Sequence, residues 1–461
     1  MKTVNTTPNS LKFLKIVDPS KDNLNEENIR KWAAHVDGTF GVVKWDKCTK
    51  FLGGRMVRSS YQLLNTVGLS KNQVKKLLQL NIDYLITIRN DIDFMRYHFS
   101  DVYAQEVDED EDEDEYDRDS RDGLVRRADV LFKLMKINND FGNTDLYVDF
   151  RDKVVQNQKR NILVGHVLLS GTNATLFGNG PELLKFIAGE ELESTLKPGQ
   201  IWCSKFPSGQ KLLCARSPHI TMGNLYCVEN VREGEIWNYF DLGENIVCVN
   251  AIGENIQQRL NGCDYDSDTM LITDDKMLIE TAEKFYTHLK VPYCAISSTK
   301  TTNSSLADLD HKTSNNKIGE IVNLSQKLNS IIWDMLNSQK LNSRVLDWDR
   351  LSSGNDEILK IYADVCKLAV LSGLEIDKAK RAYDKVNAGK ELESIRSKYD
   401  NYDRPKFFKV VDAESDDKYR NANSKKGKDR IKKKGKQEKK RRGGIASIRL
   451  QCSISIALPM L

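Results

Sequence analysis

Three aspartates occupy alternate positions in the segment NGCDYDSDTMLIT: Asp264, Asp266 and Asp268. They directly precede an apolar stretch, so a regular strand would place the three carboxylates on one side, and a tight loop could make them converge. Crowded carboxylates repel one another unless a cation neutralises them. Hard oxygen ligands suit Mg²⁺, which keeps some of its waters and accepts substrate phosphates as further ligands. The spacing therefore predicts a metal site for phosphoryl transfer.

Two other interpretations of the three aspartates remain open. The first is an acidic surface turn with no ligand. The second is a calcium loop, which requires Gly at its sixth position and a bidentate Glu at its twelfth. Those positions hold Thr269 and Asp275 here, and the flanking residues indicate strand rather than helix. The calcium loop therefore fits the sequence less well than the magnesium site.

The elements that must position the aspartates change in type along the chain. Branched and aromatic residues alternate with polar ones from Phe40 to Tyr61, which indicates strands with tight turns. Ser70 is a candidate N-cap of a helix that runs to about Ser100. Short apolar segments between residues 161 and 273 are separated by Gly, Asn and Pro, a pattern typical of a β-sandwich or barrel. Apolar residues at helical spacing then predict helices over 276–290, 318–340 and 355–390.

The 461 residues carry a net charge of +4, which hides two opposed blocks. Glu106–Asp122 holds twelve acids and two arginines, and Lys425–Arg442 holds twelve bases and two acids. No apolar run is long enough to span a membrane, and the first residues lack the apolar segment of a signal peptide. The nine cysteines are far apart, which argues against a zinc site and a disulfide framework. We expect an intracellular protein, cytoplasmic if prokaryotic, that does not bind membranes.

The ordered set of motifs resembles the catalytic core of two-barrel RNA polymerases, closest to the cellular RNA-dependent RNA polymerases of RNA silencing and their bacterial and phage relatives. The resemblance spans Phe40 to Arg381, in the family's order. The segments that carry it are Gly165, Pro198-Gly199, Arg216-Ser217-Pro218-His219, Gly223, the aspartates after Gly262, GVVKWDKCTKFLGGRMVRSSYQLL, HKTSNNKIGEIVNLSQ and IYADVCKLAVLSGLEIDKAKR.

The resemblance implies an α+β fold: a double-psi β-barrel catalytic core followed by a helical region. It implies a template-directed RNA polymerase core that adds NTPs to an RNA 3′ end on an RNA or DNA template, and thus RNA binding and transcription. Asp264, Asp266 and Asp268 would bind the catalytic Mg²⁺. Arg216 would face the nucleotide or the template backbone, and Lys44 and Arg58 would supply positive charge to the triphosphate.

Other candidate residues carry weaker expectations. Arg216 could instead be a salt-bridged surface residue, and Lys44 and Arg58 could be structural. Lys205 and Lys211 are further basic candidates, whereas His219 is expected to pack rather than react. The basic run after residue 424 could bind nucleic-acid phosphates or be a solvated tail.

The implied organisation has six parts. They are a connector (1–34), a first-barrel segment with a helix (35–100), an acidic disordered insertion (101–125), the second double-psi barrel with the aspartate loop (126–275), a helical region (276–400) and a basic disordered tail, in part suggestive of a frameshift (401–461). We expect a fragment of a longer protein. The family has Gly where this chain has Ser267, so the alternative is a catalytically inactive nucleic-acid-binding relative.

Overall fold

A computed structural model describes residues 51–99, 127–191, 193–232, 234–265, 268–286, 291–300, 316–338, 357–379, 381–383, 386–406 and 408. Lys44, Asp266, Ser267 and both charge blocks lie outside these residues. Asp46–Pro405 forms one compact unit, to which the description below is confined. The seven cysteines in the described residues are free thiols, and no helix there is long and apolar enough to cross a membrane.

Helices and one short strand precede the barrel. Their bounds are β1 Met56–Arg58, α1 Tyr61–Val67, α2 Lys71–Asn90, α3 Ile92–Tyr97, α4 (127–137) and α5 Asp145–Leu163. The sequence predicts several strands up to Tyr61, but in the described part of that stretch β1 is the one strand. Phe51–Gly54 forms a helical turn instead. Helices also occupy the first part of the segment 126–275, before the barrel strands begin.

Helix α2 begins as the sequence predicts. Ser70 is its N-cap and forms a capping box with Gln73, which satisfies two backbone N–H groups at the helix start. The apolar stripe that the sequence predicts along α2, through Val74, Leu77, Leu78 and Leu80, is confirmed only in part. Leu77 and Leu78 pack in the core, whereas Val74 and Leu80 are 38% and 43% exposed. The residues that α2 buries are Leu77, Asn81, Tyr84 and Ile88. The burial of Asn81 was not predicted because its side chain is polar. That side chain forms hydrogen bonds with the backbone of Leu168.

Six strands form a closed barrel. They are β2 Leu168–Phe177, β3 Gln200–Trp202, β4 Lys211–Ala215, β5 Tyr226–Asn230, β6 Ile246–Val249 and β7 Thr269–Thr273. Around the barrel the order is β2-β6-β3-β5-β4-β7, and β7 pairs with β2 again. Closure removes the free strand edges that an open sheet would leave. Strand β1 pairs with the first residues of β2 and extends the sheet outside the ring.

The strand pairings have a twofold internal symmetry. Exchanging β2, β3 and β4 with β5, β6 and β7 leaves all six pairings unchanged. The two parallel pairs, β2–β6 and β3–β5, exchange with each other, and the antiparallel pairs map onto antiparallel pairs. Two interlocked three-strand units of this kind make a double-psi barrel. The expected α+β fold with a double-psi barrel is confirmed, and the described residues contain one such barrel.

The barrel interior is apolar and closely packed. Ala174, Leu176, Ile201, Leu212 and Ile272 are fully buried in it. The loops between the strands carry the short helices α6 Gly180–Ala188, α7 Glu235–Tyr239 and α8 Ile256–Arg259. Burial of this apolar surface is the main force that holds the six short strands together.

A helical region follows the barrel, as expected. It comprises α9 Lys276–Tyr286, α10 Ile318–Ser338, α11 Glu357–Ile376 and α12 Ala388–Lys398, with the two-residue strands β8 Thr299–Lys300 and β9 Arg381–Ala382. Helices α10 and α11 pack along one another around a separate apolar core. Asp364 of α11 accepts hydrogen bonds from Lys398 and Tyr399, which fixes the end of α12 against α11.

Candidate active site

The aspartate loop joins helix α8 to the last barrel strand. The Leu176 N–H donates to the Asp268 carbonyl oxygen at 2.8 Å, which places Asp268 beside the end of β2. The Asp264 N–H donates to Asp268 Oδ2 at 2.8 Å, so these two aspartates lie within one turn of chain. Asp266, between them, is outside the described residues. Asp264 and Asp268, two of the three predicted ligands, thus lie on one loop at one end of the barrel.

The chain enters this loop through two residues in the left-handed region, Asn261 with φ 52° and Gly262 with φ 74°. Gly adopts this conformation without steric cost, which explains the glycine that precedes the aspartates. After the turn, Tyr265 packs against Gly178, where an added Cβ would lie 2.7 Å from the tyrosine ring. Burial raises the pKa of the Tyr265 phenol. The loop therefore begins with a left-handed turn and is held after it by the Tyr265 ring against Gly178.

Arg216 directly follows β4, the neighbour of β7, and its side chain contacts both ends of the aspartate loop. Its Nη2 lies 2.8 Å from Asp268 Oδ1, and its Nη1 donates to the carbonyl oxygens of Leu260 and Asn261 at 3.1 Å each. The side chains of Arg216 and Asp268 are only 16% and 22% exposed, so water weakens the pair less than it weakens a surface salt bridge. Arg216 therefore neutralises one of the predicted metal ligands and positions the loop that carries it.

The segment after Arg216 is held by two glutamines. The Gln62 Oε1 of α1 accepts from the His219 N–H, and the Gln326 Nε2 of α10 donates to the His219 carbonyl, both at 2.7 Å. The Ser217–Pro218 peptide bond is cis, and Asn261 Nδ2 donates to the Pro218 carbonyl. The fold thus connects the arginine strand, the aspartate loop and two helices through hydrogen bonds between side-chain amides and the backbone.

The His219 ring does not take part in these contacts. It is buried, neither of its ring nitrogens has a hydrogen-bond partner among the described residues, and burial lowers its pKa to about 4. A neutral, enclosed imidazole cannot exchange a proton with substrate at neutral pH. This arrangement agrees with the packing role expected for His219.

Arg58 lies away from the aspartates. It pairs in register with Leu168 at the start of β2, whereas Asp268 lies beside Leu176. Eight residues of strand separate those positions, roughly 25 Å at the usual rise per residue. Arg58 Nη2 donates to Gln158 Oε1 at 2.7 Å, and its guanidinium stacks on Phe51 at 4.8 Å. The structure does not bring Arg58 together with the aspartate loop.

The two weaker lysine candidates also have partners in the fold. Lys205 Nζ donates to the Gly54 carbonyl, which ties the β3–β4 loop to the helical turn before β1. Lys211 forms an exposed ion pair with Glu283 of α9 at 2.8 Å. Lys44 lies outside the described residues. Arg216 is therefore the predicted basic residue that the described structure places at the aspartates.

The donor set at the loop suits a hard cation. Carboxylate oxygens are the ligands that Mg²⁺ prefers, and metal-ligating carboxylates commonly accept hydrogen bonds from neighbours as well. Asp264 and Asp268 fit this chemistry, with Asp266 as the third expected ligand. Within the described residues, which leave out Asp266, no group of three or more His, Cys, Asp and Glu side chains is gathered for a metal.

The two glutamines escaped sequence reasoning. Gln62 directly follows the stretch that the sequence indicates as strand, and Gln326 lies on a helix that was predicted only from its apolar stripe. A signal was present in α10, where Asn323, Gln326, Asn329 and Ser330 form a polar line at helical spacing. Each of them bonds α1 or the segment after Arg216.

No model of a known protein family matches the chain, and no curated protein matches it. Among solved structures, the RNA-dependent RNA polymerase QDE-1 from Thielavia terrestris is similar at 15% identity with a TM-score of 0.41. The similarity covers 74% of this chain and 37% of that chain, so this protein spans little more than a third of the polymerase's length. At this level of similarity we take the fold from the strand pairings of the chain itself.

Proposed function

We propose that this protein is a template-directed nucleotidyltransferase core that adds NTPs to an RNA 3′ end with Mg²⁺. One observation carries the proposal: Asp264 and Asp268 lie on a loop at the end of a double-psi barrel, with Arg216 fixed against Asp268. The ordered motifs that resemble the two-barrel polymerases support it independently. Carboxylates and a guanidinium at one barrel end suit a triphosphate, whose charge a divalent cation and a cationic side chain together offset.

The aspartates are the residues that would hold the metal. Bound there, Mg²⁺ would lower the pKa of the attacking RNA hydroxyl and neutralise the triphosphate, so no general base is required. Asp264, Asp266 and Asp268 supply the negative charge that retains the cation. Arg216 orients Asp268 through Oδ1 and leaves the carboxylate further lone pairs for a metal. Its backbone contacts keep the loop preorganised, which limits the reorganisation needed when substrate binds.

The partners of this activity are NTPs and an RNA or DNA template. The basic run Lys425–Arg442 is the proposed nonspecific contact with nucleic-acid phosphates. Lys44 remains a proposed contact of the triphosphate. Arg58 lies at the opposite end of β2, so it would contact the triphosphate only if the substrate reached that end.

A second candidate function is a nucleic-acid-binding relative without turnover. A specific observation favours it: both carboxylate oxygens of Asp268 are engaged, Oδ1 by Arg216 and Oδ2 by the Asp264 N–H. Ser267, where the family has Gly, adds to this possibility, because Gly reaches backbone conformations that Ser adopts only at a cost. In this alternative Arg216 takes the place of the cation.

Incorporation of labelled NTP separates the two candidates. The purified full chain is incubated with RNA or DNA templates, with and without Mg²⁺, and tested in parallel for a gel shift of the template. The proposal predicts template- and Mg²⁺-dependent incorporation that Asp266→Asn abolishes. A wild-type chain that shifts the template but incorporates nothing would instead establish the binding function.

A further inference from the structure

Helices α6 and α7 expose an unusual number of large apolar side chains. Leu184, Phe186 and Ile187 of α6 are 51%, 59% and 63% exposed, and Trp237 and Tyr239 of α7 are 55% and 73% exposed. We call the surface of these five residues the α6–α7 face. Isolated apolar residues on a surface are ordinary, but adjacent ones of this size mark contact sites.

The two helices are joined, so the α6–α7 face is one surface. Lys185 of α6 forms an ion pair with Glu235 of α7 at 2.9 Å, and Glu235 also accepts a hydrogen bond from Thr195. The Phe177 and Phe240 rings, which flank the helices, stack edge to face with centroids 5.6 Å apart. The face is therefore preformed on the barrel, which lowers the entropy that a partner's binding would cost.

A recess of about 370 Å³ lies at the edge of the face, lined by Arg232, Gly234, Trp237 and Asn238. The Arg232 guanidinium lies 5.5 Å from the centre of the Trp237 ring, which keeps the indole in place. Trp237 forms an aromatic wall of the recess, and Arg232 and Asn238 supply its polar groups. A recess of this size and lining could take one anchor side chain of a partner.

The charge around the face is acidic. The exposed carboxylates of the two loops that follow the helices are Glu190, Glu191, Glu193, Asp241 and Glu244. None of these five has an ion pair within the described residues. Arg232 is the one cation of the described segments 180–193 and 231–244 without an ion pair there, because Lys185 bonds Glu235. Such a rim repels phosphate backbones, so the face is not suited to nucleic acid.

We propose that the α6–α7 face docks a cationic, amphipathic segment of a partner protein. The apolar side of the segment would cover Leu184, Phe186 and Ile187, with one anchor in the recess beside Trp237. Its lysines or arginines would lie against the carboxylates of the rim. Aromatic anchors within an acidic rim give affinity and selectivity of this kind. The proposal does not depend on the proposed polymerase function, since it uses none of the aspartate-loop residues.

The test is fluorescence anisotropy of a labelled Lys/Leu/Trp amphipathic helical peptide of about five turns, titrated with the full chain. We expect saturable binding that weakens as salt is raised. The double variant Phe186→Ser/Trp237→Ser should weaken binding at least about tenfold, and Glu190→Lys/Glu191→Lys should weaken it about tenfold at low salt. All four side chains are solvent-accessible, so the variants should fold, which circular dichroism checks.

Two matched controls make the result specific. Ile86→Ser removes a side chain that is 50% exposed on α2, away from the face, and should leave binding unchanged. A peptide with Glu in place of Lys should not bind. Equal binding of the acidic peptide, equal loss with Ile86→Ser, or unchanged binding of Phe186→Ser/Trp237→Ser would overturn the proposal.

Competing occupants give distinct results. If the face instead joins two copies of this chain, the wild type will elute as a dimer and Phe186→Ser/Trp237→Ser as a monomer in size-exclusion chromatography. If it instead binds membranes, anionic vesicles will retain the wild type and release the double variant. Either result without peptide binding would contradict the proposal of a cationic partner.

Discussion

Arg216 and Asp268, 52 residues apart in the sequence, form a 2.8 Å ion pair at the end of the barrel. The same guanidinium donates to the carbonyls of Leu260 and Asn261, where the chain turns into the aspartate loop. One side chain thus orients a predicted metal ligand and closes the loop that carries it. Whether the aspartate loop can bind a cation depends on whether Arg216 leaves the Asp268 carboxylate available to it.

Replacing Arg216 tests its structural contribution. Arg216→Ala leaves the Leu260 and Asn261 carbonyls and the Asp268 carboxylate without their donor, so we expect a loss of about 1–3 kcal/mol in the free energy of unfolding. Arg216→Lys should restore only part of it, because an ammonium cannot reproduce the planar guanidinium fork. Urea unfolding measures both. Lys211→Ala, which breaks an exposed pair, is the control and should leave the midpoint unchanged. Equal effects in the two alanine variants would contradict this role.

Gln326 is predicted to hold the segment after Arg216. Gln326→Met keeps the length of the side chain but removes the donor to the His219 carbonyl and the acceptor of Asn65. Because Gln326 and His219 are buried, we expect a loss of about 1–3 kcal/mol in the free energy of unfolding, measured in urea. Gln79→Met, which removes a hydrogen bond on the exposed side of α2, is the matched control and should change stability little. A Gln326→Met protein as stable as wild type would show that these hydrogen bonds add nothing.

Gly171 is predicted to be essential for barrel closure. Its φ is 150°, and an added Cβ would lie 2.1 Å from the Ile272 carbonyl oxygen on the paired strand β7. Gly171→Ala must push these strands apart, so we expect a loss of about 3 kcal/mol or more. Gly199→Ala, at a φ of 79° with open space around it, should cost only about 1–2 kcal/mol. Thermal unfolding of both variants compares the cost of the steric clash at Gly171 with that of backbone strain at Gly199. A larger loss of stability in Gly199→Ala would contradict the prediction.

His98 is predicted to make stability depend on pH. Its ring is fully buried, with Nδ1 2.8 Å from the Tyr84 hydroxyl, and burial, assisted by the charge of Arg58, lowers its pKa to about 3. The unfolded chain, with a histidine pKa near 6.5, then binds more protons than the folded chain between pH 6.5 and 3. Stability contributed by neutral His98 is therefore present above pH 6.5 and is lost as the pH falls through that window.

The pH dependence has a measurable slope. Between pH 6 and 5 the His98 contribution should fall by about 1 kcal/mol per pH unit. His98→Gln keeps an acceptor for Tyr84 but cannot titrate, so urea unfolding at the two pH values should show a slope smaller by that amount. His219, whose pKa is also lowered, leaves a residual slope in the variant. An identical slope in wild type and His98→Gln would rule out the assignment.

Local signals predicted the parts of the fold that local interactions determine. Helix α2 begins after Ser70 because the Ser70 hydroxyl caps it. The four residues from Ser70 to Gln73 are enough to indicate this cap. The short apolar segments indicated a β-sandwich or a barrel, since both bury one face of each strand, and the strand pairings show the barrel. The buried line of α2 was predicted only in part, because tertiary contacts override periodicity: Leu77 is buried as expected, but Asn81 is also buried to bond Leu168, and Val74 is left outside.

The site could be predicted in its residue types but not in its contacts. Asp264 and Asp268 stand out by spacing, and the structure places both on one loop. The Arg216–Asp268 pair depends on β4 and β7 being neighbours in the barrel, which no local pattern specifies. Arg58 was expected near the triphosphate because of its motif, yet β1 pairs with the far end of β2. Charge alone cannot tell which end of a barrel strand a residue will occupy.

The most direct measurement is the Mg²⁺-dependent rate of templated NTP incorporation by the wild type, Asp268→Asn and Asp149→Asn. Asp149 is exposed on α5 and serves as the matched control for loss of one carboxylate. The account predicts incorporation by the wild type, the same rate for Asp149→Asn, and a rate at least about 100-fold lower for Asp268→Asn. Equal incorporation by Asp268→Asn and Asp149→Asn would contradict the assignment of the aspartate loop as the catalytic metal site.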